Sequence, residues 1–131
     1  MNILIGYDGS TVAREALELA RKRAKAWGAK IDVVKCMARS RELNYEDIQM
    51  VEHKLEREVH DQLNSDDIPY ETHLMISGRP SGEDLVQFAE QNEIDEIVIG
   101  IRRKSKAGKL LFGSNAQYVI LNASCPVVSI K

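Results

Sequence analysis

The chain has 131 residues, 44% hydrophobic and 5% aromatic, with 18 Lys and Arg against 20 Asp and Glu for a formal charge of −2. That length predicts one domain over residues 1–131, able to bury a core without staples, and the near-balanced charge argues against a general nucleic-acid binder. Cys36 and Cys125 are too few and too far apart for a disulfide framework or a metal knuckle; no apolar run approaches the roughly 18 residues of a membrane span, and MNILIGYDGS meets Asp8 too early for a signal-peptide core, so a cytoplasmic location is expected.

Asn2 to Tyr7 (NILIGY) reads as a short apolar strand stopped by Asp8-Gly9. Ser10 and Thr11 are good helix caps, and Ala13, Ala16, Leu17, Ala20, Ala24 and Trp27 then recur at helical spacing. Gly28 stands where a helix end favours positive φ. Ile31 to Met37 is a β-branched second strand, followed by a helical pattern on Ile48, Val51, Leu55, Val59 and Leu63. After Asp66-Asp67, Pro69 leads into a third strand, Tyr70 to Ile76. Pro80 favours the first turn of a helix whose inward face is Leu85, Phe88 and Ala89. Glu96 to Ile101 (EIVIGI) is the fourth strand. A basic loop follows, then Gly113-Ser114 opens a helix buried through Ala116, Val119, Ile120 and Ala123, and Pro126 to Ile130 is the fifth strand.

Five strands separated by four helices predict a Rossmann-like α/β domain, its mainly parallel sheet covered by helices on both faces. Ligands of such folds bind at the carboxyl ends of the strands, where the strand order reverses. The loops after strands one (Asp8 to Thr11), two (Cys36 to Ser40) and four (Ile101 to Ser114) are therefore the candidates. The last of these holds five positive charges between Arg102 and Lys109 and no acid, ahead of a Gly-Ser helix start. Outward-pointing N–H groups at a helix N-terminus suit an anion, Gly113 permits close approach, and Ser114 adds a hydroxyl. The same residues also fit a solvated loop in which Ser114 caps its helix. Asp8 fits either a hydrogen bond to a nucleotide hydroxyl or a turn with Gly9.

Two other nucleotide motifs fail. A Walker A loop around Gly108-Lys109 needs Gly at 103 and Ser or Thr at 110, which are Arg103 and Leu110. A dinucleotide fingerprint after strand one meets Gly6-Tyr-Asp-Gly9-Ser-Thr, and strand two ends in Cys36-Met37-Ala38 with no acid for a ribose. His53 and His60 lie two turns apart on one helix and His73 on strand three, a poor zinc pattern, so no metal site is expected.

Asp8 followed by Gly-Ser, Gly78-Arg-Pro before the third helix, and the loop after strand four together resemble the universal stress protein family over essentially the whole chain. Members that bind ATP show Gly, two residues, Gly, nine residues, then Gly with Ser or Thr. Here Gly100 and Gly113-Ser114 keep that spacing while Arg103 replaces the second glycine. The resemblance implies that Asp8 and the backbone of Gly6 and Tyr7 border the adenosine, and that main-chain atoms of Cys36 pair with adenine. It also implies that Ile99 and Gly100 line the site, and that Gly113, Ser114 and the amide of Asn115 face the phosphates. Ala116 stands where relatives often carry a hydroxyl. Arg103 either obstructs the site or binds phosphate through its guanidinium.

The function expected is binding of ATP, or of AMP or ADP, as a conformational signal in stress response, with magnesium or manganese as the candidate accompanying ions. At most slow ATP hydrolysis is expected, since no acid–base pair or nucleophile is evident. The alternatives are an interaction protein of the same fold that has lost its nucleotide, or a slow phosphate-ester hydrolase. The β-branched strand 126–130 at a sheet edge predicts a homodimer, as in relatives that the chain resembles.

Overall fold

The computed structural model describes residues 1–101 and 113–131. Its elements run β1 (Asn2–Gly6), α1 (Thr11–Trp27), β2 (Lys30–Cys36), α2 (Tyr45–Leu63), β3 (Tyr70–Met75), α3 (Ser81–Gln91), β4 (Glu96–Gly100), α4 (Ser114–Asn122) and β5 (Val127–Ile130). The strands form one sheet in the order β3-β2-β1-β4-β5, with every pairing parallel. The α/β architecture read from the alternation of apolar blocks is therefore the one found, with β1 to β4 each ending one residue before its apolar run.

Alternation along β1 and β2 divides the core between the two faces of the sheet. Ile3, Ile5, Ile31 and Val33 pack with Ala13, Ala16 and Leu17 of α1 and with Leu55 and Val59 of α2. Leu4, Val34, Ile97 and Ile99 face the other way, onto Leu85 and Phe88 of α3 and Val119 of α4. Helix boundaries follow the capping residues. The Ser10 side chain accepts from the Ala13 N–H at 3.2 Å, Gly28 closes α1 at φ 65°, and Asn44 with Asp47 forms a reciprocal capping box at the start of α2.

Two residues assigned inward by periodicity lie outside. Trp27, the last residue of α1, is 64% exposed, and Ile120 is 43% exposed. A helix turns each residue about 100° from its neighbour. Val119 takes the inward position on α4, flanked by the partly buried Ala116 and Ala123, which leaves Ile120 at the margin.

Among the described residues three carboxylate side chains are buried: Asp32, Asp84 and Glu96. Glu96 opens β4 beneath α1, and both its oxygens are taken by one guanidinium, Arg23 Nε to Oε1 at 2.5 Å and Nη2 to Oε2 at 2.6 Å. Arg21 similarly joins α1 to Asp66, which Lys25 also contacts at 3.1 Å. Removing one member of a buried pair strands the other charge, whereas removing both does not. Arg23→Met is expected to lower the unfolding free energy by about 3 kcal/mol, the lower end of the range for such a lesion because Arg23 is partly exposed. Arg23→Met with Glu96→Met should recover most of that loss in urea titrations, and a double variant as unstable as the single would contradict this account of the pair.

Candidate functional site

The strand order reverses between β1 and β4: the chain moves outward from β1 through β2 to β3, then returns to the other side of β1. Helices leaving adjacent strands in opposite directions open a crevice at the carboxyl ends. A cleft of about 670 Å³ lies there, within the range of roughly 300–1,000 Å³ usual for small-ligand sites. Its lining comes from five separated stretches of chain, four of which hold the candidate residues. Gly6 ends β1 and Tyr7 and Asp8 follow it, Cys36 ends β2, Ile99 and Gly100 end β4, and Gly113, Ser114, Asn115 and Ala116 begin α4. The ten candidate residues within the described chain are thus brought together in one cavity. Arg103 and the basic loop around it fall outside the described residues.

At the β1 end, the Asp8 carboxylate accepts the Ser10 N–H at 3.0 Å, an Asx turn that reverses the chain with Gly9 at φ 80°. Ser10, not Asp8, caps α1, and Asp8 lies in the lining of the cleft. Tyr7 behind it is buried, and its hydroxyl donates to Glu58 Oε2 of α2 at 2.9 Å. Burial, reinforced by Glu58, pushes the Tyr7 phenol up to about 12, so it stays a neutral donor.

At the β2 end the Cys36 thiol lies 4.0 Å from the Ser81 carbonyl. Burial pushes it up to about 11, with the nearby Asp84 charge acting in the same direction. It is therefore a thiol and not a thiolate at neutral pH, which removes it as a nucleophile. Asp84 is 1% exposed. It accepts the Ser77 hydroxyl with both oxygens at 2.8 Å and sits 3.1 Å from an Arg79 guanidinium nitrogen. This network secures the turn at Gly78, φ 79°, which carries the chain into α3 under the cleft.

The third wall has close backbone contacts. A Cβ on Gly100 would lie 2.8 Å from the Val12 carbonyl oxygen, and one on Gly82 would lie 2.8 Å from the Asn115 carbonyl oxygen. Gly82 also donates its N–H to the Asn115 side chain at 2.9 Å. These contacts pin the first turns of α1 and α4 against their neighbours. Gly113 is the N-cap of α4 at φ −63°, and no described atom comes within 4 Å of where its Cβ would stand. Its backbone conformation therefore does not require glycine; its use is open space. Ser114 is the first helical residue and not the cap. The N–H groups of Ser114, Asn115 and Ala116 belong to the first turn, where no intrahelical acceptor exists.

Sequence reasoning missed the α3 contribution: Ser81 and Leu85 also line the cleft, and Gly82 and Asp84 support it. Gly78-Arg-Pro was the only pointer to that segment. Among the described residues no helix is long and apolar enough to cross a membrane.

The comparisons with known proteins agree with this architecture. The model of the universal stress protein family matches residues 1–131. A universal stress protein of Thermus aquaticus, encoded in a sulfhydrylase 3′ region, is 32% identical over 98% of this chain and 97% of its own. The solved structure of a universal stress protein from Archaeoglobus fulgidus superposes with a TM-score of 0.85 at 34% identity, covering 100% of this chain and 98% of that one. A second Archaeoglobus fulgidus structure, a universal stress protein in complex with dAMP, matches with a TM-score of 0.80 at 31% identity over 100% and 98%. With a whole-length family match and relatives above 30% identity, the chain belongs to the universal stress protein family.

Proposed function

We propose that the cleft binds an adenine nucleotide, ATP or its mono- or diphosphate, and that occupancy acts as a conformational signal and not as a step toward turnover. The observation that carries this reading is the polarity of the cleft. One end offers the Asp8 carboxylate, an acceptor for ribose hydroxyls, and the other offers the N-terminal N–H groups of α4, donors for phosphate. The apolar floor of Val34, Leu85 and Ile99 between them suits a base. In this reading Cys36 meets the base through its main chain, Gly6 and Tyr7 border the sugar, and Gly100, Gly113, Ser114, Asn115 and Ala116 surround the phosphates, with Arg103 a further candidate outside the described residues. The Archaeoglobus fulgidus relative in complex with dAMP supports an adenine mononucleotide as the minimal ligand. A reducing, cytoplasmic setting belongs to the same reading, in keeping with two free cysteines.

The reading extends to a homodimer through strand 126–130. β5 is a sheet edge. Ile97 N–H reaches the Pro126 carbonyl and Ile101 N–H the Ile130 carbonyl, so the even-numbered residues of the strand bond to β4. The backbone groups of Val127 and Ser129 then point outward, a template, unpaired among the described residues, for a second copy. The preceding helix also exposes Tyr118, Ile120 and Leu121.

Titration of the purified protein with ATP or AMP, in magnesium-containing buffer, is expected to show saturable binding. Asp8→Ala should weaken it by about tenfold or more, the loss of a hydrogen bond to a charged acceptor. No binding at millimolar nucleotide by folded protein would leave the interaction-protein reading standing instead. Steady ADP release abolished by Asp8→Ala would favour the hydrolase. Tighter binding in Arg103→Gly would make Arg103 an obstruction, and weaker binding would make it a phosphate ligand.

Sedimentation at micromolar concentration should give a dimer. Ser129→Pro deletes an outward N–H without touching the β4 ladder and is expected to shift the protein to monomer with an unchanged circular dichroism spectrum; a monomeric wild type would sink the dimer.

A further inference from the structure

Away from the cleft, β2 and β3 bring a mixed nitrogen and oxygen set to one face of the sheet edge. Asp32 and Glu71 are direct partners in the parallel register, and His73 lies two residues beyond Glu71, so all three side chains project from the same face. Their candidate ligand atoms all lie within 4.8 Å of one another. His73 Nε2 is 2.8 Å from Asp32 Oδ1 and 3.8 Å from Glu71 Oε2. A tetrahedral zinc ion with bonds of about 2.0–2.1 Å would need ligand atoms about 3.3 Å apart, a spacing these distances bracket. The adjustment falls on Glu71, whose side chain is 60% exposed.

Two features separate this cluster from a patch of surface acids. Asp32 is only 5% exposed, and the His73 ring is held by Phe88 of α3, centroids 4.7 Å apart at a tilt of 56°. The cluster also already attracts a cation. The Lys30 ammonium sits 3.5 Å from Asp32 Oδ1 and 3.1 Å from Glu71 Oε1. It does so at the end of a flexible stem that can swing into solvent, leaving two carboxylates and an imidazole for a divalent ion.

We propose that Asp32, Glu71 and His73 form a site for a divalent transition metal, with zinc as the type ion, for which Lys30 is the internal competitor. Imidazole with carboxylates selects zinc and its neighbours over magnesium or calcium. None of the three lines the cleft; the cleft residue on β2 nearest to Asp32 is Val34, two residues on, about 7 Å at roughly 3.3 Å per residue. A metal there does not accompany nucleotide phosphates. It clamps the edge strand β3 to β2, and binding to the folded state alone raises stability by mass action. The proposal is independent of the nucleotide reading.

The test is zinc binding by calorimetry and by melting temperature, on the full-length, chelator-stripped protein without nucleotide. Wild type is expected to bind one zinc and to melt higher with it. Lys30→Met removes the competitor and should bind at least about fivefold tighter, the factor one unit charge about 4 Å away represents even in water. Its melting temperature, lowered without metal because Asp32 loses its cation, should rise with zinc by more than that of wild type. His73→Phe keeps the ring contact with Phe88 and should lose more than the about tenfold that even outer-shell lesions cost. Glu71→Gln, a change at an exposed side chain, should weaken binding without affecting the fold. Absence of zinc binding in both wild type and Lys30→Met would overturn the proposal. So would zinc retained undiminished by His73→Phe and Glu71→Gln, which would place the metal on the cysteines or elsewhere.

Discussion

The arrangement depends on β1 being flanked on both sides by parallel strands. β1 lies between β2 and β4 with Ile3, Leu4 and Ile5 fully buried, and a parallel strand so placed must be covered above and below. Right-handed crossovers then send α1 and α2 to one face and α3 and α4 to the other. The connections after β1 and β4 depart on opposite sides, and the space between them is the cleft. No polar residue had to be placed to make this cavity; it follows from strand order and burial. Asp8, Gly100 and Ser114 border it by position, just after β1, at the end of β4 and at the start of α4.

Close backbone contact keeps those loops in register. Gly100 lets the end of β4 meet the Val12 carbonyl, and Gly82 lets α3 meet Asn115 at the start of α4. A methyl group at either site faces backbone atoms, which cannot rotate aside as a side chain would. The Asn115 side-chain oxygen accepts the Gly82 N–H, which ties the start of α4 to α3. The first turn of α4 is therefore fixed by α3 and not by a capping side chain, since its N-cap is Gly113. Asp84, buried with Ser77 and Arg79, holds the turn that starts α3, and in that way the Gly78-Arg-Pro segment shapes a wall of the cleft that it does not itself form.

What was legible in the sequence had local causes. Ser10 and Gly28 mark the ends of α1 because capping and positive φ are properties of one turn of chain. The buried strands were legible because EIVIG and IDVV, apart from a single acid in each, put apolar residues on both faces. Trp27 and Ile120 misled because helical periodicity records which residues share a side, and says nothing of where the sheet beneath them ends. Gly82 and Asp84 carried no signal, since their roles arise only when α3 packs against α4 and β2. The Asp32, Glu71 and His73 cluster was invisible for the same reason: its members are joined by strand register across some forty residues of chain, and metal motifs are recognised by short spacing.

Charge gives the cleft a direction. The formal total of −2 conceals nine acids against three bases between Arg41 and Asp67, and five bases with no acid between Arg102 and Lys109. The acidic stretch is largely α2, and one of its members, Glu58, reaches the cleft through the Tyr7 hydroxyl. Tyr7, held neutral, donates to Glu58 and screens that carboxylate from the cavity without cancelling its field. The β1 end thus combines Asp8 with the influence of Glu58, whereas the α4 end carries the positive pole of a helix and is the attachment point of the basic segment. A dinegative phosphate chain placed at the β1 end would face like charge and no donors. Placed at the α4 end it meets N–H groups and the positive pole, and its ribose hydroxyls fall to Asp8. A nucleotide bound as proposed has one electrostatically favoured orientation, and that orientation brings its phosphates to the first turn of α4.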